Sequence, residues 1–549
     1  MRSSLLIPVQ LTLIVSLLYS CTTDSSDTTD PDRIWKPDHT SRFEVGTQIR
    51  PWTIYDEGMT YILDNMQSMI GVNNLYIIVV MHEEHRPYKA PEFPHNPARD
   101  IFDAEDSRVS FFPEWERYGK IKPLMSDHEW ISKTDWLQLV IDSCRARGLS
   151  VGAEVSHFPI PKSLIRENPD WQQKKINGEA WNTSRFCPNN PDVREYVLAL
   201  YGDIAANYDV DYIQTCQFIY NNLEIDEGGT CFCRHCVAAA SEAGFDLEAA
   251  IPILQEDQNA QPQRDNWIKF RTETTTNFYR DISEAIAKEN PDCHLRFNDV
   301  LVWGAETTIE YGMDLKAVAP YLGSVVNQDH QEQWGLENET FEKRKEWITT
   351  NRDLIGPEMH FVSGIATRME ASPELIKEGI RVALEHPARI NGVVLKHYDG
   401  ASFSMMRAFK QGMIDAGVVG LTPTLGWEVE DMELDNYAPF TEELVEEWGV
   451  EIVDAGEAGS AAYTFNHSSG TYNIRITYFD GIEGQSLVTL SIGGEEKASF
   501  SMDEDTDCWR WRMFNNIRIK KGDEIRLTGK SDNTEGAKLE FIEFIPIDN

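Results

Sequence analysis

The sequence is poor in positive charge. It has 50 lysines and arginines against 90 aspartates and glutamates, a formal net charge of −40 over 549 residues. That balance excludes nucleic acid and anionic membrane surfaces as partners, because both are bound through clustered basic side chains. Long apolar runs are also scarce. Leu5–Leu18 spans 14 residues, and no run reaches the roughly 20 that a helix needs to cross a bilayer. Cysteine is sparse as well, nine in all, and Cys144, Cys216, Cys293 and Cys508 lie scattered, as buried thiols do. What is abundant is core material. Apolar residues make up 41% and aromatics 11%, enough for two or three globular domains.

The N-terminal stretch reads as an address, not as fold. Arg2 supplies a charge, Leu5–Leu18 a short apolar region, and Leu18-Tyr19-Ser20-Cys21 closes it. The segment 1–21 resembles a bacterial lipoprotein signal, in which Cys21 would carry lipid after cleavage. That resemblance implies an exported protein held at the membrane, outer membrane or cell surface, by its lipid alone. Residues 22–42 are polar and contain prolines, as a tether should be.

From Phe43 the texture alternates strand and helix eight times. Short apolar runs predict strands at Phe43–Ile49, Leu75–Met81, Leu149–Val155, Asp211–Cys216, His294–Asp299, Ser324–Asp329, His360–Ala366 and Gly392–His397. Helical periodicity fills the gaps, with stop and start signals such as Gly148 and Ser372-Pro373. Eight such units predict an α/β fold, a (β/α)8 TIM barrel over residues 43–417. Insertions at His82–Glu129, Phe158–Pro191 and Phe218–Asp265 all follow strands, so they decorate the face where such barrels do chemistry. Residues 418–445 read as an acidic connector. Seven short runs across residues 446–549 predict an all-β sandwich. Its Ser469-Gly470-Thr471-Tyr472 and Tyr478-Phe479-Asp480 resemble the carbohydrate-binding sandwiches appended to bacterial glycosidases. Trp509 and Trp511, two apart on one strand, fit either a sugar platform or a packed core.

The sharpest chemical signal is Cys231-x-Cys233-x-x-Cys236, in the polar loop after the fourth strand. The spacing is too tight for mutual disulfides and suits tetrahedral zinc, which needs a fourth ligand from Cys187, Cys216 or His235. The knot resembles that of zinc-containing β-galactosidases in the TIM-barrel glycoside hydrolase superfamily. That resemblance implies a structural zinc with one earlier cysteine, here Cys187. No organic cofactor is expected. The superfamily also commonly ends strand four with Asn-Glu, the Glu serving as acid/base. This chain has Cys216-Gln217 there, and Gln217 cannot move a proton.

Other strand ends are rich in ionisable groups, which in a barrel points to catalysis or ligand binding. A glycosidase needs two carboxyl groups. Asp299 and Asp329, on neighbouring strands, are the favoured pair, with Glu154 and Asp399 as further candidates. His330 and Lys396 complete the catalytic set. Arg50, His157, Gln217, Asn298, Gln328, Arg368, His397 and Tyr398 are expected to bind substrate. The leading expectation is a glycoside hydrolase of polysaccharide degradation, acting on a carbohydrate partner. One alternative is a lyase or dehydratase eliminating across uronic acids, with His330, Lys396, Tyr398 or an arginine handling the proton and the carboxylate. Another is a non-catalytic glycan-binding lipoprotein.

Overall fold

The computed structural model describes residues 42–81, 84–86, 94–95, 102–104, 106–156, 159–181, 185–215, 218, 220–299, 309–327, 332, 340–367, 370–442, 447–452, 458–482, 484–532 and 536–547. Cys21, His157, Gln217, Gln328, Asp329, His330 and Arg368 lie outside these residues, as does the signal segment.

Eight parallel strands form a closed barrel. They are β1 (Glu44–Ile49), β2 (Asn74–Met81), β3 (Ser150–Val155), β4 (Tyr212–Thr215), β5 (His294–Asp299), β6 (Ser324–Asn327), β7 (His360–Ala366) and β8 (Gly392–Lys396). Each pairs with the next, and β8 closes on β1. Most strands were legible because they are buried on both faces and rich in apolar residues, although β5, His-Leu-Arg-Phe-Asn-Asp, is mostly polar. Helices Trp136–Ala146, Pro191–Asn207, Gln263–Glu289, Thr340–Ile355, Pro373–Leu384 and Phe403–Asp415 pack outside. Four of them start at a side chain that takes up an orphan amide: Asp135, Asn190, Ser372 and Ser402 each accept a backbone N–H. Between β5 and β6 the described residues include helical Ile309–Glu310 and the short helix Leu315–Val318.

The barrel axis departs from the usual filling of branched aliphatics. Tyr76, Tyr212, Val326, Val362 and Val394 form one layer across it. Below that layer sit Glu44 and Arg296, and above it Gln48, Glu154, Gln214 and Lys396, all buried. Gly152 makes room for one aromatic: a Cβ there would stand 2.2 Å from the Tyr212 ring.

The C-terminal part is two antiparallel sheets, and it begins earlier than the sequence suggests. Residues expected to be a connector form β9 (Gly426–Glu428), β10 (Glu433–Asp435) and β11 (Tyr437–Glu442), followed by β12 (Glu447–Ile452). The remaining strands are β13 (Ala458–Thr464), β14 (Gly470–Asp480), β15 (Leu487–Ile492), β16 (Glu495–Ser501), β17 (Cys508–Ile519), β18 (Glu524–Lys530) and β19 (Lys538–Pro546). One sheet runs β11-β12-β19-β14-β17 with β9 on β19; the other runs β10-β13-β18-β15-β16. β10 and β11 lie at sheet edges, where acidic side chains and Pro439 are tolerated. That tolerance is what made them look like a linker.

Trp509 and Trp511 do not form a sugar platform. Trp509 is fully buried in the cluster that continues the barrel core, and Trp511 stacks on Tyr61 at 4.9 Å while donating to Asn65 Oδ1 at 2.6 Å. Arg407 pairs with Glu540 across the same boundary, and Arg475 donates to Ser68 Oγ at 2.6 Å. The interface is therefore apolar at its centre and charged around it.

Candidate active site and cysteine knot

At the C-terminal mouth one carboxylate is held in place by amides. Glu154 on β3 accepts from Gln48 Nε2 on β1 at 2.7 Å and from Gln214 Nε2 on β4 at 2.8 Å, both at Oε2. The three residues share one parity along their strands, which turns all of them into the barrel. The second amide atoms, Oε1 of Gln48 and Gln214, are buried without a hydrogen-bond partner among the described residues. Lys396, at the end of β8, donates to the Tyr76 hydroxyl at 2.7 Å. Burial pushes the Tyr76 phenol well above its ordinary pKa, and the Glu154 charge pushes it the same way. Tyr76 therefore stays protonated and is unsuited to act as a base.

The remaining strand ends divide sharply. Asn298 is buried in β5, and Asp299 is that strand's last residue, its side chain outside the described set. Arg50 comes directly after β1 and reaches both oxygens of Asp399 at 3.1 Å, with His397 Nδ1 3.2 Å from its other terminal nitrogen. Asp399 also accepts from Trp52 Nε1 and Thr53 Oγ1, each at 3.3 Å. Four hydrogen bonds from three donor atoms on one fully buried carboxylate make Asp399 an anchor for Arg50 and the helical turn beside it, not a group facing substrate. Tyr398, expected to bind substrate, is also withdrawn. Its hydroxyl donates to Glu57 at 2.8 Å and accepts from Asn65 at 2.9 Å, and burial holds its pKa well above the ordinary range. Backbone geometry explains the turn: His397 sits at φ 68, which swings the chain away from the mouth after Lys396.

Gln48, Gln214 and Tyr76 were missed in the sequence. Their only signal was shared parity with Glu154 and Lys396 on strands otherwise filled with apolar residues. Glu332 was missed too. Fully buried, it pairs with Arg344 and accepts from Ala366 N at 3.0 Å, pinning the chain just beyond β6 to β7.

The cysteines gather as the spacing implied. The Sγ atoms of Cys187, Cys231, Cys233 and Cys236 all lie within 4.8 Å of one another, and all four residues are buried. A tetrahedral zinc with Zn–S bonds of about 2.3 Å spaces its sulfurs about 3.8 Å apart. The pairs Cys187–Cys236 at 3.5 Å and Cys187–Cys233 at 3.4 Å stand near that spacing. Lys174 N and Asn189 Nδ2 donate to Cys231 and Cys236 sulfurs at 3.3 and 3.4 Å. His235, one alternative fourth ligand, instead bonds Asp170 and Asn190. Cys216, the other, lies outside the described residues. Arg271, stacked on Trp267 at 4.4 Å, brings a buried cation beside the knot; burial lowers its pKa to about 9, while Tyr220 and the cysteines oppose that.

Together these features define a closed (β/α)8 barrel with a carboxylate in its C-terminal mouth and a four-cysteine knot in the loops around it. The chain matches no protein-family model. Over 135 residues it is 28% identical to a probable α-glucuronidase A of Aspergillus fumigatus, covering 22% of this chain and 16% of that protein's length. Among solved structures, the PgaB glycoside hydrolase domain from Bordetella bronchiseptica aligns with TM-score 0.49 and 13% identity, over 70% of this chain and all of that domain. A β-galactosidase from Halorubrum lacusprofundi aligns with TM-score 0.45 and 13% identity, over 69% of this chain and 58% of that one.

Proposed function

We propose that the chain is a glycoside hydrolase acting at the C-terminal mouth of its barrel on oligosaccharides that carry a uronic acid. The observation that carries this reading is Glu154, a barrel-facing carboxylate oriented by two amide donors. In hydrolysis one carboxylic acid gives its proton to the glycosidic oxygen, and one carboxylate attacks the anomeric carbon or activates water. Glu154 takes the carboxylate role, because Gln48 and Gln214 fix its oxygen by donation. Asp299, the last residue of β5, or Asp329, two residues beyond β6 in the sequence, supplies the proton. Lys396 offers positive charge for the uronate. The local likeness to α-glucuronidases supports that substrate class. Glu154→Gln is expected to lower turnover by about 10²- to 10⁴-fold with little change in stability. Near-normal turnover of the folded variant would refute the assignment.

We also propose that the knot holds a structural zinc. Four thiolates leave no open position, so the metal would do no chemistry. It would tie the loop after β3, through Cys187, to the loop after β4. The latter loop also meets the segment after β5, where Tyr220 N donates to Tyr311 O at 3.0 Å. Zinc would thus shape the wall of the mouth.

A further inference from the structure

The opposite end of the barrel contains a cavity of about 420 Å³, lined by the first residues of seven strands. Its centre is Arg296 on β5, which is 1% exposed. Arg296 Nη1 donates to Glu44 Oε1 at 2.8 Å, and the guanidinium lies over the Tyr212 ring at 4.7 Å. Its other edge, Nε and Nη2, is buried with no hydrogen-bond partner among the described residues. A buried donor pair left unmade is costly, and in a guanidinium this edge is the one that grips a carboxylate with two parallel bonds.

The acidic groups nearby are already occupied. Glu44 accepts from Arg296 and Asn74 at one oxygen and faces His360 Nε2 at 2.9 Å from the other. Asp211 is paired with Arg145 at 2.9 Å and accepts from Val151 N at 2.7 Å. Arg42 lies at the cavity's rim. Both acidic groups are thus already paired, while the Nε and Nη2 edge of Arg296 is not. A cavity of this size admits a molecule as large as a monosaccharide.

We propose that this N-terminal mouth is a second ligand site, separate from the catalytic mouth, and that it takes a small carboxylate gripped by Arg296. The inference does not depend on the hydrolase reading. Glucuronate is the probe, with glucose as the neutral control and acetate as the bare carboxylate. Isothermal titration is expected to show glucuronate binding and no glucose binding. Acetate binding as tightly as glucuronate would mean that the site reads the carboxylate alone; weaker acetate binding would add a contribution from the ring. Both outcomes support the grip of Arg296. The double substitution Glu44→Gln with Arg296→Met removes both partners of the ion pair and should weaken glucuronate at least tenfold. If that protein does not fold, Ser150→Trp, at an exposed strand start on the cavity wall, should weaken binding without touching the pair. Lys396→Met, which removes the cation offered to a uronate at the catalytic mouth, should leave this binding unchanged. No glucuronate binding, or binding abolished by Lys396→Met but untouched by Ser150→Trp, would overturn the proposal.

Discussion

Glu154 is useful only if its carboxylate keeps one orientation, and Gln48 and Gln214 set it from strands on either side. Removing one donor lets the carboxylate turn, and a misplacement of about 1 Å can cost about 10²-fold. Gln48→Ala and Gln214→Ala are therefore each expected to lower kcat tenfold to a hundredfold. KM should change less, which separates loss of orientation from loss of binding in steady-state kinetics. At the other end of the axis, Glu44 makes a pH prediction. Burial pushes its pKa up, but Arg296 and His360 outweigh that and hold it at about 2, below the ordinary 4.5. A lowered folded-state pKa contributes stability that is present above the unfolded value and lost as pH falls through the folded one. Denaturant melts should show stability falling from about pH 4.5 towards pH 2, with a shallower fall in Glu44→Gln. Equal slopes in the two proteins would show that this carboxylate does not contribute.

At the scale of the element, the cysteine loop was legible because metal ligation imposes a spacing that survives in the sequence. Purified protein is expected to hold about one zinc per chain. Cys231→Ser and Cys187→Ser should each deplete metal and lower Tm, as read by metal analysis and thermal melting. Full zinc in Cys187→Ser would give the fourth position to Cys216. Most barrel strands were equally legible, since burial on both faces leaves an apolar signature. β10 and β11 were not, because edge strands carry the charges and the proline that elsewhere mark a linker. The mouth was legible only in part. Lys396 and Glu154 stood out as ionisable groups on apolar strands. Tyr398 and Asp399 stood out in the same way yet turn into the protein, because the left-handed backbone at His397 redirects the chain beyond it. Nothing local in the sequence announces that change of direction.

At the scale of the whole molecule, barrel and sandwich share one apolar boundary. Trp509 belongs to the barrel's own core, and Trp511, Arg475 and Glu540 bond to barrel residues. A barrel core of its own argues that the domain folds alone, but the boundary argues otherwise. A chain ending near Gly420 would expose Tyr61 and Asn65 and leave Arg407, now paired with Glu540, without that carboxylate. Such a truncated protein is expected to be poorly soluble or to melt well below the full chain. Unchanged melting would mean that the sandwich is an independent appendage.

Hydrolysis and elimination at the C-terminal mouth leave different products. Full-length protein and Glu154→Gln would be incubated with a glucuronate-bearing oligosaccharide, monitoring reducing ends and ultraviolet absorbance together. New reducing ends without new absorbance are expected, and their loss in Glu154→Gln. Absorbance from an unsaturated uronate, or equal product from both proteins, would contradict hydrolysis through Glu154.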